Sequence, residues 1–342
     1  GCQGSLTHFL PWLQERFGYG AHSRFSLLSG LAHDPLHRDV FTPLMIGASL
    51  CVPEPEDFAP RRLQRWMLDQ RINVSHLTPS VSRILCDTDA DARLPDLSCA
   101  FLTGELLTTH DMRQVARLAP NTLIVNFYGS TETQRAVSHH VISARELPEQ
   151  GKSGQGEAGQ GKAHIPLGRG IPDVQLVLLN GAGIQAGIGE AAEIFIRSPH
   201  LARGYLGHPG TTAEGFLADP YGAPGERMYR TGDLVTRTPS GDIVYHGRND
   251  FQIKIRGQRV EPGEIEAVLD AMPGVDASAV VPRTDLAAGP VPVAYVRSES
   301  TDVTESAALA WCRGHLPSHM VPAALTVLDS IPRSPIGKID RA

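Results

Sequence analysis

Four stretches of the sequence group side chains suited to phosphate and carboxylate chemistry. The first is Asn126-Phe127-Tyr128-Gly129-Ser130-Thr131-Glu132-Thr133. An apolar run, Leu123-Ile124-Val125, leads into it, a glycine turns the chain, and hydroxyls and a carboxylate follow at an expected helix start. This layout suits a nucleotide: backbone N–H groups and Thr131 meet phosphate oxygens, Glu132 holds a Mg²⁺ that bridges phosphates, and Tyr128 stacks on a base. The same residues equally describe an ordinary strand-to-helix loop with a capping hydroxyl. The second stretch is Tyr229-Arg230-Thr231-Gly232-Asp233-Leu234. An Asp after Gly in a tight turn accepts hydrogen bonds from both hydroxyls of a ribose, although Gly-Asp is also common in plain β-turns. The third runs from Gly247-Arg248-Asn249-Asp250 through Phe251-Gln252-Ile253-Lys254-Ile255-Arg256-Gly257 to Glu261-Pro262-Gly263-Glu264. It reads as a basic hairpin and a helix N-terminus whose acidic residues complement the dipole. The fourth, Ile336-Gly337-Lys338-Ile339-Asp340-Arg341, puts a lysine on a Gly-flanked loop, where it is a mobile point charge for phosphate or simply an exposed Lys.

The elements around these stretches alternate. Arg61 to Gln70 carries Leu63, Trp66 and Met67 at helical spacing. Ile72 to Leu77 reads as a strand, and Thr78-Pro79 opens another helix. Such alternation predicts an α/β sheet with crossovers. Val174–Leu179 and Glu193–Arg197 read as strands of a more β-rich region. Residues 147–163 are rich in Gly, Gln and Lys and nearly free of apolar residues, which predicts a flexible surface insertion. Near Gly247 the pattern changes again. Phe251 to Ile255 alternates apolar and charged, Pro262 starts a helix with Ile265, Val268, Leu269 and Met272 on one face, and short α+β material follows. The expected organisation is a large α/β subdomain over 1–249 and a small α+β lid subdomain over 250–342.

The 342 residues, 41% of them hydrophobic, suffice for a large core and a smaller one. A net charge of −6 with scattered basic residues gives no electrostatic case for nucleic acid or an anionic membrane. Five cysteines without a CxxC pair, Cys2, Cys51, Cys86, Cys99 and Cys312, indicate neither a disulfide framework nor a zinc site. Reduced thiols suggest a cytoplasmic protein. No run of apolar residues is long enough to span a bilayer, and no signal peptide is recognisable.

Taken in order, the four stretches resemble the AMP-forming adenylating superfamily of acyl-CoA synthetases, luciferases and peptide-synthetase adenylation domains. Gly189-Glu190, Ala202-Arg203-Gly204-Tyr205-Leu206 and Leu316-Pro317-Ser318-His319-Met320-Val321-Pro322 extend the match over nearly the whole chain. The wording of LARGYL, YRTGDL and GRNDFQIKIRGQRVEPGEIE favours the peptide-synthetase branch. The resemblance implies a large AMP-binding subdomain followed by a mobile C-terminal lid, with ATP and Mg²⁺ as cofactors and a carrier-domain phosphopantetheine thiol as acceptor. It places Asn126, Tyr128, Gly104, Glu105, Gly129 and Ser130 around the adenosine and its phosphates. Thr131 and Glu132 handle phosphate, with Glu132 also on Mg²⁺. Asp233 and Arg248 hold the ribose, Lys338 bridges the carboxylate and the α-phosphate, Asp250 is the hinge, and Lys254 lies just beyond it. Two departures stand out. The family's Gly/Ser/Thr-rich phosphate loop is expected upstream of Gly1, and Ile336 stands where an Asn is usual.

The stretch Asp34 to Leu44, HDPLHRDVFTPL with His33 before it, together with Glu132-Thr133-Gln134-Arg135-Ala136-Val137-Ser138, resembles the α-aminoadipate reductase family. That family activates the side-chain carboxylate of 2-aminoadipate for reduction. By this resemblance the amino-acid pocket is lined by Asp34, Pro35, Arg38, His76, Phe101, Thr103, Phe127, Arg135 and Ala136. Asp34 pairs with the substrate ammonium, and Arg38, four residues on, faces the same pocket if the segment is helical. Two arginines beside one aspartate leave cations unpaired unless the substrate brings a second carboxylate. The expected substrate is 2-aminoadipate or a related amino dicarboxylate such as glutamate, and a reductase or condensation domain is an expected neighbour. An acyl-CoA ligase, or an inactive carrier-docking remnant, remains an alternative.

Overall fold

The computed structural model describes residues 3–30, 34–87, 91–147, 165–249, 252–255, 257–283 and 290–332. Asp250, Phe251, Arg256, residues 336–341 with Lys338, Cys2, His33 and positions 148–163 of the Gly-rich stretch lie outside them. The backbone contacts divide the chain into two compact units, Gly1–Asn249 and Asp250–Ala342.

Helix α1 (Gln3–Phe17) opens the first unit. Strands β1 (Arg24–Ser26), β2 (Ser49–Cys51), β3 (Val74–Leu77), β4 (Cys99–Leu102) and β5 (Leu123–Ser130) are parallel. The crossovers between them carry α2 (Pro35–Ile46), α3 (Arg62–Asp69), α4 (Pro79–Cys86) and α5 (Thr109–Leu118). Antiparallel β6 (Arg135–Ser143) and β7 (Arg169–Gly170) complete a sheet ordered β2-β1-β3-β4-β5-β6-β7. β3 and β4 are buried at every residue, as parallel strands covered on both faces must be. Successive side chains separate accordingly. Phe101 and Val125 join a cluster with Phe9, Leu13 and Phe25, while Leu102 and Ile124 join Leu63, Met67, Leu85 and Met112 on the other face. The helical spacing read at Leu63 and Met67 is the buried stripe of α3. The Thr78 hydroxyl accepts from Val81 N at 3.2 Å with Pro79 at the first helical position, so α4 starts where the sequence signals it.

A second, antiparallel sheet is formed by β8 (Gln175–Leu179), β9 (Ala192–Arg197), β10 (Phe216–Ala218), β11 (Arg227–Arg237) and β12 (Ile243–Arg248), and α6 (Pro209–Gly215) precedes β10. Its Ile194, Ile196, Tyr229 and Val235 pack into the same cluster as Phe101 and Phe127.

The second unit has a hairpin of β13 (Ile253–Ile255) and β14 (Gln258–Val260), then α7 (Pro262–Asp270). β15 (Ala277–Arg283), β16 (Val291–Arg297) and β17 (Ala324–Leu328) form a sheet, with α8 (Glu305–His315) between the last two strands in sequence. Ile265 and Leu269 of α7 pack with Val280, Ala294 and Val296. The molecule thus has a large α/β unit and a small α+β unit, the expected fold class.

Two local expectations fail. Residues 126–133 are not a strand-to-helix junction. β5 continues through Ser130, a single 3-10 turn (Thr131–Thr133) follows, and the chain returns as β6. Residues 229–234 are not a tight turn but the middle of β11, where pairing with β9 is interrupted between Arg230 and Leu234.

No helix among the described residues is long and apolar enough to cross a membrane. Cys51, Cys86, Cys99 and Cys312 are buried free thiols. Burial pushes the Cys86 and Cys99 thiols up to about 12, so neither is a thiolate nucleophile at neutral pH.

Candidate active site

The β5–turn–β6 hairpin requires a glycine at 129. A Cβ there would lie 2.5 Å from the Arg135 carbonyl oxygen and 2.9 Å from Ala136 Cα, and the pairing register shifts at this point. The bulge brings three of the expected nucleotide residues together. Tyr128 Oη donates to Asp233 Oδ2 at 2.5 Å, and Arg248 Nη1 donates to Asp233 Oδ1 at 2.7 Å. Burial and the Asp233 charge raise the Tyr128 pKa, so its phenol stays a donor. Asp233 reaches this position because Gly232 takes φ 77° in the irregular stretch of β11. The Thr231 hydroxyl anchors that irregularity, donating to Ile194 O at 2.8 Å and accepting from Asp233 N at 3.0 Å. Asn126 is buried and donates through Nδ2 to Pro166 O at 2.9 Å.

The expected phosphate residues lie on the turn itself. Ser130 N donates to Thr133 Oγ1 at 3.0 Å, which closes the turn. A three-residue 3-10 turn has no helix dipole to offer, so the helix N-terminus expected here is absent, and anion contacts must come from individual groups. Thr131 Oγ1 donates to Asp34 Oδ1 at 3.3 Å and so ties the turn to the start of α2. Glu132 is buried and accepts from Tyr205 Oη at 2.5 Å. Tyr205 belongs to the LARGYL stretch, which explains its place in the motif. A buried carboxylate at the turn suits a cation, and the chemistry of this donor set fits Mg²⁺. Gly104 and Glu105 follow β4. Glu105 caps α4 instead of standing free: Oε2 accepts from Ser80 N at 3.1 Å and Ser80 Oγ at 2.7 Å, and burial raises its pKa. Lys254 lies on β13 of the second unit.

Among the residues expected to line an amino-acid pocket, neighbouring strands stack one ring each. His76 of β3 lies 4.6 Å from the Phe101 ring of β4, which lies 4.8 Å from Phe127 of β5. Phe9 and Trp12 of α1 close against Phe127 at 6.1 and 6.4 Å. Thr103 extends β4 by donating from N to Leu77 O, and Ala136 pairs with Gly129. Asp34 stands at the N-cap of α2 and Pro35 at its first position, so Arg38 is one turn further on. The sequence reading left Arg38 unpaired, and this is wrong. Arg38 is buried and donates from Nε to Asp39 Oδ1 at 2.9 Å, and Asp39 is fully buried. Arg135 differs. It begins β6, is only 8% exposed, and donates from Nη1 to Ser5 Oγ at 2.8 Å, while Nε and Nη2 are buried without a partner among the described residues. Burial lowers its pKa to about 10, which leaves the guanidinium charged at neutral pH.

Asp39, Tyr205 and Ser5 were not anticipated. RD in a helix pattern signals nothing in particular, and Ser5 lies far from Arg135 in sequence. A group of ligand-type side chains also escaped notice: His8, Asp173 and His200, with His8 Nε2 3.2 Å from Asp173 Oδ2. Burial and the neighbouring Arg135 and His8 charges lower the His200 pKa, and the same Arg135 charge opposes a metal ion there.

An α/β unit carrying this hairpin site, followed by a small α+β unit, is the architecture of the AMP-binding enzymes. The AMP-binding enzyme model matches residues 3–206 and the AMP-binding enzyme C-terminal domain model matches residues 264–338, and the chain belongs to this family of adenylate-forming enzymes. Along its full length it is 36% identical to the L-2-aminoadipate reductase of Schizosaccharomyces pombe, of which it spans 27%. It is 36% identical to the L-2-aminoadipate reductase large subunit of Penicillium chrysogenum, of which it spans 28%. Bacitracin synthase 3 of Bacillus licheniformis is 34% identical over 99% of this chain and 5% of its own length. Among solved structures, the Vibrio cholerae adenylation domain AlmE in complex with glycyl-adenosine-5'-phosphate superposes with a TM-score of 0.81 at 26% identity, over 98% of this chain and 61% of AlmE. IdnL1 gives 0.79 at 28% identity, over 96% and 65%.

Proposed function

We propose that the chain activates an amino-acid carboxylate as its acyl adenylate, using ATP and Mg²⁺, and passes the acyl group to the phosphopantetheine thiol of a carrier domain. The substrate is 2-aminoadipate, activated at its side-chain carboxylate, or a related amino dicarboxylate. The observation that carries this reading is Arg135: a buried guanidinium whose Nε and Nη2 have no partner among the described residues is costly until an occupant supplies a carboxylate. Asp34 takes the ammonium of the same occupant, and the ring stack of His76, Phe101 and Phe127 walls the methylenes. Tyr128, Asp233 and Arg248 receive the adenosine. Mg²⁺, when bound near Glu132, supplies charge neutralisation where two anions meet. Lys338 adds a second positive charge on the reacting carboxylate. The names of the relatives support both halves of the proposal: L-2-aminoadipate reductase, and an NRPS protein containing adenylation and PCP domains. A hydrophobic acyl-CoA substrate would leave Arg135 unsatisfied.

The test is amino-acid-dependent ATP–pyrophosphate exchange by the full-length polypeptide with 2-aminoadipate, glutamate, 2-aminoadipate 6-amide, leucine and lysine. Dicarboxylates should lead, and the 6-amide should be inert. Arg135→Ala should weaken dicarboxylates by about 1.5–3 kcal/mol in kcat/KM. Best activity with leucine or lysine would overturn the reading, and good turnover of the 6-amide would reverse the orientation to α-activation.

A further inference from the structure

The Asp39 carboxylate is the most completely enclosed acid near the proposed pocket, and the proposed function does not use it. Its oxygens meet three groups. Ser29 Oγ donates to Oδ2 at 2.5 Å, Arg38 Nε donates to Oδ1 at 2.9 Å, and His76 Nδ1 stands 2.9 Å from the same Oδ1. The His76 approach falls outside hydrogen-bond alignment, and both its ring nitrogens are buried without an aligned partner among the described residues. Two of these three neighbours, Arg38 and His76, are pocket positions. One buried carboxylate therefore touches the helix side and the sheet side of the same wall.

We propose that Asp39 is a positioning residue for amino-acid recognition: it neutralises Arg38 and fixes the guanidinium through Nε. With Arg38 already matched by Asp39, Arg135 is the pocket guanidinium whose Nε and Nη2 have no partner among the described residues. Burial opposes the ionised carboxyl, but the Arg38 charge together with the contacts from His76 and Ser29 outweighs it and holds Asp39 well below the usual range. Burial and the same Arg38 charge keep the His76 ring neutral. The counter-ion of Arg38 is thus Asp39 across the neutral pH range.

This inference rests on the amino-dicarboxylate reading, and the experiment separates the two. KM for 2-aminoadipate, KM for ATP and kcat are measured by pyrophosphate exchange for the full-length polypeptide, D39N, R38M and R38M/D39N. D39N should raise KM for the amino acid about tenfold or more, the loss of one well-aimed charge-assisted contact, and leave KM for ATP unchanged. R38M/D39N should be no worse than R38M, because Asp39 acts through Arg38. Its melting temperature should exceed that of D39N, in which Arg38 is buried without a counter-ion. A folded D39N with native KM overturns the proposal, as does an equal D39N effect in the R38M background. If D39N fails to fold, the R38M and R38M/D39N pair decides alone, and unequal KM values overturn the proposal. A native protein that responds to no dicarboxylate overturns the amino-dicarboxylate reading and this inference together. A native response to 2-aminoadipate that R38M weakens and D39N does not overturns only the role of Asp39.

Discussion

At the scale of single residues, His76 gives a pH dependence with a definite sign. Burial, then the Arg38 charge, lowers its pKa from 6.5 to about 4. Between those values the unfolded chain binds a proton that the folded chain refuses, so stability falls as pH drops through that window, by at most about 3 kcal/mol from this group. Above the window the contribution is fully present. His76→Phe, which keeps the stack on Phe101, should flatten part of the loss in denaturant midpoints measured across the window. An unchanged slope would mean that His76 is not the group. His139 and His140 are also lowered by burial, so some acid sensitivity should remain. The sequence assigned residues to the pocket wall by motif position. It did not identify their pairing. Asp39 is one residue from Arg38, and chain proximity says nothing about which of two carboxylates, Asp34 or Asp39, a guanidinium reaches. Only the packing of α2 on β3 decides that.

At the scale of elements, helices and parallel strands were legible where a cap or a period is written into the chain, as at Thr78-Pro79 or Leu63 and Met67. The hairpin at 126–143 was not, because a Ser-Thr-Glu run after a strand is the signature of a helix start. What overrides it is the long-range pairing of β6 with β5. The bulge in β11 was missed for the same reason: Gly-Asp signals a turn, but strands on both sides keep the backbone extended. Gly129 is the junction on which this hairpin depends. Gly129→Ala must displace the backbone of Arg135 and Ala136, since no flexible side chain can yield. The expected cost is about 1–3 kcal/mol, read as a lower melting temperature, together with weaker ATP and amino-acid use. A melting temperature and KM values equal to the native ones would show that the bulge relaxes freely.

At the scale of the whole molecule, we propose a division of labour between the units, with Lys338 contributing to adenylate formation and Asp250 acting as the hinge. Lys338→Ala should reduce pyrophosphate exchange by about 3–4 kcal/mol, the cost of one preorganised charge, and spare thiol transfer from preformed adenylate. Asp250→Pro, which fixes φ, should slow one half-reaction more than the other. Native rates for both half-reactions in both variants would remove these assignments. In the sequence, the alternation of charged and apolar residues after Gly247 marks a change of pattern, and the backbone contacts divide the chain between Asn249 and Asp250. Along β5 the side chains of Asn126 and Tyr128 turn to Pro166 and Asp233, whereas Phe127 between them turns to Phe101 and Phe9. Under the proposed function, odd and even positions of this strand face different halves of the site. A substitution at 127 therefore leaves the contacts of 126 and 128 in place, whereas insertion of one residue would exchange the two faces.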